Sequence, residues 1–131
     1  MLERYAPPLY AVFRIVFGFL YLVHGLQKFF GMFGGRVVPL VSLAGAAGTI
    51  ELIAGGLIVI GLFTRQAAFI ASGEMAAAYF ISHFPRAFWP VENRGEPAAL
   101  FCFAFLYMAA RGAGLWSVDE LCRRSPKALR T

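Results

Sequence analysis

Residues 48–63 read GTIELIAGGLIVIGLF, with Glu51 as the single charge and no polar side to turn toward water. A helix on a soluble surface needs a polar face opposite its apolar stripe. This stretch has none, so it belongs in a protein interior or in lipid. Three further runs share its character, and together they cover about 9–30, 44–63, 66–84 and 97–116. Each approaches the ~20 residues that cross a ~30 Å hydrocarbon core. Composition favours lipid over a large soluble core. Sixty per cent of the chain is hydrophobic and 15% is charged, against ~25% charged in soluble domains. That charge cannot coat a soluble four-helix bundle. The expected fold is all-α: a single domain over 1–131, an integral membrane four-helix bundle of antiparallel up-down topology, with a basic tail over 117–131. The first run is too long for a signal peptide and lacks a small-residue cleavage site, so it is expected to remain as a span.

The connections sharpen this topology. Pro7 and Pro8 precede the first run and Pro97 opens the fourth, where proline's missing N–H is not needed. Thr64 and Arg65 form a very short link, so the second and third helices should be a tight hairpin. Four spans place both termini on one side. That side would carry Arg4, Arg65, Arg111, Arg123, Arg124, Lys127 and Arg130. The opposite side would carry Lys28, Arg36, Arg86 and Arg94. The excess of basic residues puts both termini in the cytoplasm, with the chain crossing the membrane several times. The net charge of +5 comes from these flanking positions and not from a polar basic domain. It implies a lipid bilayer as partner and no nucleic acid.

The chemistry, if any, must reside in the polar residues inside the runs. The first run contains RIVFGFLYLVHGLQK, residues 14–28. At 100° per residue, Arg14, Gly18, Tyr21, Gly25 and Lys28 share a stripe about 80° wide, with His24 at its edge. This stripe should face other helices. An intramembrane charge needs a partner, and Glu51 of the second run and Glu74 of the third are suited to Arg14. An interhelical cluster of Arg14, Glu51 and Glu74 is therefore expected. His24, Lys28, Asn93 and Glu96 would lie nearer the external opening. Such a cluster would be either a register-fixing network or a ligand or proton site. Lys28 has an ordinary alternative in snorkelling to the interface. Glu96 and Asn93 have one in stabilising the start of the fourth helix. Glu74 and His83 are nine residues apart and face opposite ways, and no metal site is expected. Cys102 and Cys122 form no CxxC and no disulfide framework. No catalytic residue and no cofactor motif is evident.

The chain resembles the DoxX family over almost its whole length. The resemblance rests on R-x-x-x-G followed by H-G-x-x-K (Arg14, Gly18, His24, Gly25, Lys28) and on G-x-x-E-x-x-x-G-G (Gly48, Glu51, Gly55, Gly56) with the later Gly61. It continues through Arg65, Glu74 and N-x-G-E (Asn93, Gly95, Glu96), and closes with G-A-G-x-W-S-x-D (Gly112 to Asp119). It implies a small four-helix protein of the bacterial cytoplasmic membrane. Relatives include the small membrane subunit of a thiosulfate:quinone oxidoreductase and proteins linked to complexes handling thiols and superoxide. The expectation that follows is a membrane subunit or anchor of an oxidoreductase complex, with oxidoreductase partner proteins and a quinone as the fitting cofactor. The residues leave open a small-molecule or proton-coupled transporter, a structural or lipid-interacting protein, and self-association through the glycine-rich faces. They do not decide whether the chain is an enzyme.

Overall fold

The computed structural model describes residues 1–128, with side chains through Ser125. The described residues are helical, with no strand. A 3-10 turn, Glu3–Tyr5, leads into α1 (Ala6–Phe30), which carries Pro7 and Pro8 in its first turn. Gly31 ends α1 at φ 65°, a left-handed conformation that glycine adopts without steric cost. Next comes α2 (Leu43–Ile60). Its N-cap is Ser42, whose side chain accepts from the Gly45 N–H, and Gly61 terminates it at φ 73°. After two residues α3 (Thr64–Ala78) begins, and it continues as a π-helical turn, Tyr79–His83. A short helix, α4 (Pro90–Asn93), precedes α5 (Glu96–Arg111) and α6 (Val118–Ala128).

Two helical stretches are long and apolar enough to cross a membrane, Glu3–Phe30 and Leu43–Ile60. The fourth expected span is shorter than its apolar run: α5 stops at Arg111, and residues 112–117 form an irregular connection. The physical reason is the pair Gly112 (φ 93°) and Gly114 (φ 71°), conformations that a continuing helix cannot contain. The basic tail is in part α6, where Arg123 and Arg124 pair with Glu120. The Lys127 side chain and Arg130 lie outside the described residues.

The helices pack as two close pairs, α1 on α2 and α3 on α5, joined mainly through α2 and α3. Glycine sets the first pairing. A Cβ on Gly25 would stand 2.7 Å from the Leu52 nitrogen, and one on Gly55 would stand 2.9 Å from the Leu22 Cα. The two backbones therefore meet where only hydrogen fits. The core contains Tyr21, Ile58, Phe105 and Met108, all fully buried, with Ala67, Ala68 and Ala71 bringing α3 close. Large apolar side chains such as Phe69, Phe80, Leu100 and Phe103 point outward. That inversion is expected where the solvent is hydrocarbon.

Candidate functional site

The buried stripe of α1 is present as expected: Arg14, Gly18, Tyr21 and Gly25 are all buried. The partner expected for Arg14 is not. Its guanidinium is fully buried and binds backbone carbonyls instead of Glu51 or Glu74. Nε donates to the Ile58 oxygen at 3.1 Å, Nη1 to Leu115 at 3.0 Å and to Ala113, and Nη2 to Trp116 at 2.7 Å. The reason is position. Arg14 lies beside the C-terminal end of α2, where helix carbonyls lack intrahelical partners, and beside the irregular 112–117 connection. A planar five-donor group satisfies several such oxygens at once. Arg65 does the same for the C-terminal end of α5, donating to Ala109, Ala110 and Arg111. Asp119 caps α3 in return, accepting from Phe63 N at 2.9 Å and Thr64 N at 3.0 Å. This end of the molecule is closed by hydrogen bonds.

The opposite end is open. A cavity of about 830 Å³ lies between the two helix pairs, lined by His24 and Lys28 of α1, Glu51 of α2, Glu74 and His83 of the third helix, and Arg94. Much of the remaining wall is apolar: Ile50, Met75, Ala98 and Phe101 among others. Two polar pairs mark its depth. Lys28 Nζ donates to Glu51 Oε1 at 2.7 Å, so Lys28 is tied inward and does not simply snorkel. The Tyr21 hydroxyl donates to Glu74 Oε2 at 3.0 Å. Tyr21 is itself buried behind the wall, and steadies Glu74 from there. Glu51 lies eight residues into α2, so about 12 Å below that helix end at 1.5 Å per residue. It is 2% exposed, yet its Oε2 has no hydrogen-bond partner.

Of the expected external residues, His24 lines the cavity and stands edge-on to Phe101 at 6.3 Å between centroids. Asn93 is instead a fully buried organiser of the loop. Its amide donates to Ala87 O at 3.0 Å and Tyr79 OH at 3.2 Å, and its Oδ1 accepts from Gly95 N at 2.7 Å. Its backbone oxygen meets His83 Nδ1 at 3.1 Å. The product of this bonding is Arg94 held at φ 60° on the cavity rim. Glu96 sits exposed in the first turn of α5, away from the cavity wall, where the helix dipole favours it. His83 and Arg94 were not among the expected site residues. Both sit at helix ends, where sequence gives an interfacial reading, and only the fold of the loop turns them to the rim. Among the described residues, no group of three or more His, Cys, Asp or Glu is placed to hold a metal ion.

A second, apolar groove of about 410 Å³ runs between α2 and α3 toward the closed end, lined by Ile53, Leu57, Phe63 and Ala67. Ile50 and Ile70 line both spaces.

The DoxX family model matches residues 9–84, from α1 through the π turn of the third helix. A protein of Haemophilus influenzae, itself uncharacterized, is 42% identical over 91% of this chain and 94% of its own length. An uncharacterized membrane protein of Mycobacterium tuberculosis is 24% identical over 92% of this chain and 85% of its own length. No solved structure matches.

Proposed function

The chain belongs to the DoxX family of membrane proteins, and from that premise we propose that it is a multi-pass protein of the bacterial cytoplasmic membrane serving as the membrane subunit of an oxidoreductase complex. Four helices cross the bilayer as an antiparallel up-down bundle: α1, α2, α3 with its π turn, and α5. Both termini are cytoplasmic, which agrees with the excess of basic residues on that side. The cavity opens in the outer half and holds a quinone-sized ring. The observation that carries this reading is the cavity itself, a largely apolar space whose wall holds the Lys28–Glu51 ion pair and the Tyr21–Glu74 hydrogen bond. Ionisable side chains are retained inside a membrane where they serve a ligand or a proton, and a small apolar site with a few convergent polar groups suits one small molecule. Arg14 plays no part in binding.

The test is affinity isolation from native membranes, with mass spectrometry of bound proteins and lipids, beside photolabelling by an azido-quinone. Recovery of a redox enzyme and labelling of peptides around Lys28, Glu51 or Phe101 are expected. Recovery of no redox enzyme together with no labelling of the cavity would overturn the reading.

A second reading, proton-coupled transport of a small molecule, is favoured by one observation: two carboxylates, Glu51 and Glu74, line the same intramembrane cavity. Proton uptake into reconstituted liposomes that is lost in Glu51→Gln would support it. Gly56 and Gly73 have nothing within 4 Å of where a Cβ would stand. Those surfaces are where a second copy would approach most closely.

A further inference from the structure

The closed end carries an apolar surface that no part of the described chain covers. At 100° per residue, Val118, Leu121, Cys122 and Ser125 of α6 fall within an arc of about 100°, while Asp119, Glu120, Arg123 and Arg124 take the opposite side. A helix lying on a protein core turns its apolar side inward. In α6 the order is reversed. Leu121 is 66% exposed and Cys122 is exposed, whereas Asp119 and Glu120 are partly buried. Asp119 is the side chain that reaches the bundle, at the Phe63 and Thr64 amides. Trp116, just before the helix, is held at φ 53° with its carbonyl bound by Arg14, yet its side chain points outward and is 63% exposed. Arg123 and Arg124 stand exposed on the polar side. Each spends one nitrogen on Glu120 and keeps its other donors free.

We propose that α6 is an interfacial helix, with Trp116, Val118, Leu121 and Cys122 seated in the anionic leaflet of the membrane that the bundle spans and Arg123 and Arg124 at its phosphates. This rests on the reading of the chain as a multi-pass protein with cytoplasmic termini, and goes further in giving α6 a docking surface that depends on lipid charge. Position supports it. α6 begins beside the helix ends that Arg14, Arg65 and Asp119 bind together, the level at which the spans leave hydrocarbon. Tryptophan is enriched at that level. A helix with an uncharged face opposite arginines lies in the interface plane, and long arginine side chains reach the headgroups from there. Charge and size select lipid over a second copy of this chain. A copy would set the same arginines against each other. A helix of 11 residues is about 16 Å long, too short for one face to supply the ~800 Å² per partner of a stable interface. An anionic leaflet, by contrast, attracts each arginine near its surface.

The experiment is nitroxide labelling of the full chain in lipid vesicles. Cys102→Ala leaves Cys122, on the apolar side of α6, as the labelled cysteine. Collisions with oxygen and with a water-soluble nickel chelate read its depth. In vesicles containing phosphatidylglycerol the label is expected to meet oxygen and escape nickel, and in phosphatidylcholine alone to meet nickel. Added salt should shift the first result toward the second. Arg124→Ala should lower the ratio of seated to free helix about fivefold, and Leu121→Glu should abolish seating. A second label, Phe103→Cys in a chain without the native cysteines, reports the outward face of α5. A Cys122 label equally open to nickel in both lipids, with the Phe103 label in hydrocarbon, would overturn this inference and leave the membrane bundle standing. Both labels in water would overturn the two together. Shielding of Cys122 that ignores lipid charge and falls as the protein is diluted in lipid would assign the face to a second copy, and so overturn the inference too.

Discussion

Replacing Arg14 by leucine probes the closed end of the molecule most directly. The guanidinium donates four hydrogen bonds to carbonyls on two separate segments, Ile58 at the end of α2 and Ala113, Leu115 and Trp116 of the connection after α5. Each bond to a charged group contributes ~1.5–3 kcal/mol, so a simple sum would be ~6–12 kcal/mol. The real loss is smaller. The connection can relax, and leucine relieves the chain of burying a charge, which is worth ~2.5–3.5 kcal/mol on the insertion scale. The expected net destabilisation is therefore about 3–5 kcal/mol, the range for removing one partner of a buried charged set. Arg14→Lys should lose about half as much, ~2 kcal/mol, because one ammonium cannot span both segments as a planar fork does.

The assay is reversible SDS-titrated unfolding in mixed micelles, with hydrogen–deuterium exchange as the local readout. Residues 112–117 should lose protection in both variants, while Glu51 and Glu74 keep their surroundings. A double-mutant cycle with Glu51→Gln then decides between a carbonyl clamp and an ion pair. The two sites share no partner, so their effects should add within ~0.5 kcal/mol. A coupling energy above ~1 kcal/mol, or an Arg14→Leu protein as stable as the parent, would refute the reasoning.

Lys28→Met leaves Glu51 charged and unpaired in an apolar wall, so it should destabilise by about 3–5 kcal/mol, whereas Lys28→Met with Glu51→Leu should recover most of that in the same titration. Asn93→Asp keeps the bond from Gly95 but forfeits the donors to Ala87 and Tyr79; a loss of about 2–3 kcal/mol is expected for a buried polar pair left unsatisfied, together with faster proteolysis of the loop before α5. Gly25→Ala drives a Cβ into the backbone of α2 at 2.7 Å and should cost about 1–3 kcal/mol as overpacking, while Gly56→Ala meets open space and should be neutral in the same assay. Asp119→Ala removes the cap on two N–H groups of α3 and should cost ~0.5–2 kcal/mol by thermal unfolding in detergent.

Helix position and buried face were legible in the sequence because they follow from local rules. Apolar runs located the four long helices, and the 100° spacing put Arg14, Gly18, Tyr21 and Gly25 on one inward stripe. Helical phase, however, carries no information about depth. Arg14 and Lys28 share a stripe but sit fourteen residues apart, so they face different ends of the molecule. Glu51 is reached by Lys28 and not by Arg14. The expected acceptor for Arg14 was a carboxylate because side chains are what a sequence displays. The acceptors are backbone carbonyls, which every residue carries and no sequence marks. The same limit hid Arg94, whose place on the rim depends on Asn93 folding the loop beneath it. The glycines of G-A-G after Arg111 were the one written sign that the fourth apolar run would break before Trp116.

The two ends of the molecule divide the work that one cluster was expected to do. At the closed end, Arg14 and Arg65 bind carbonyls and Asp119 binds amides, so these three charges hold helix ends together. Such bonding fixes the spacing of α1, α2, α3 and α5 at one end. Toward the other end the links are side-chain pairs, Lys28–Glu51 and Tyr21–Glu74, and there the helix pairs part around a cavity. At that open end a buried carboxylate keeps one oxygen without a donor. An unpartnered buried acceptor costs about 1–3 kcal/mol. Among the described residues Thr64 Oγ1, beside the Asp119 cap at the closed end, carries the same cost, so each end of the molecule retains one buried polar atom that its own side chains do not satisfy.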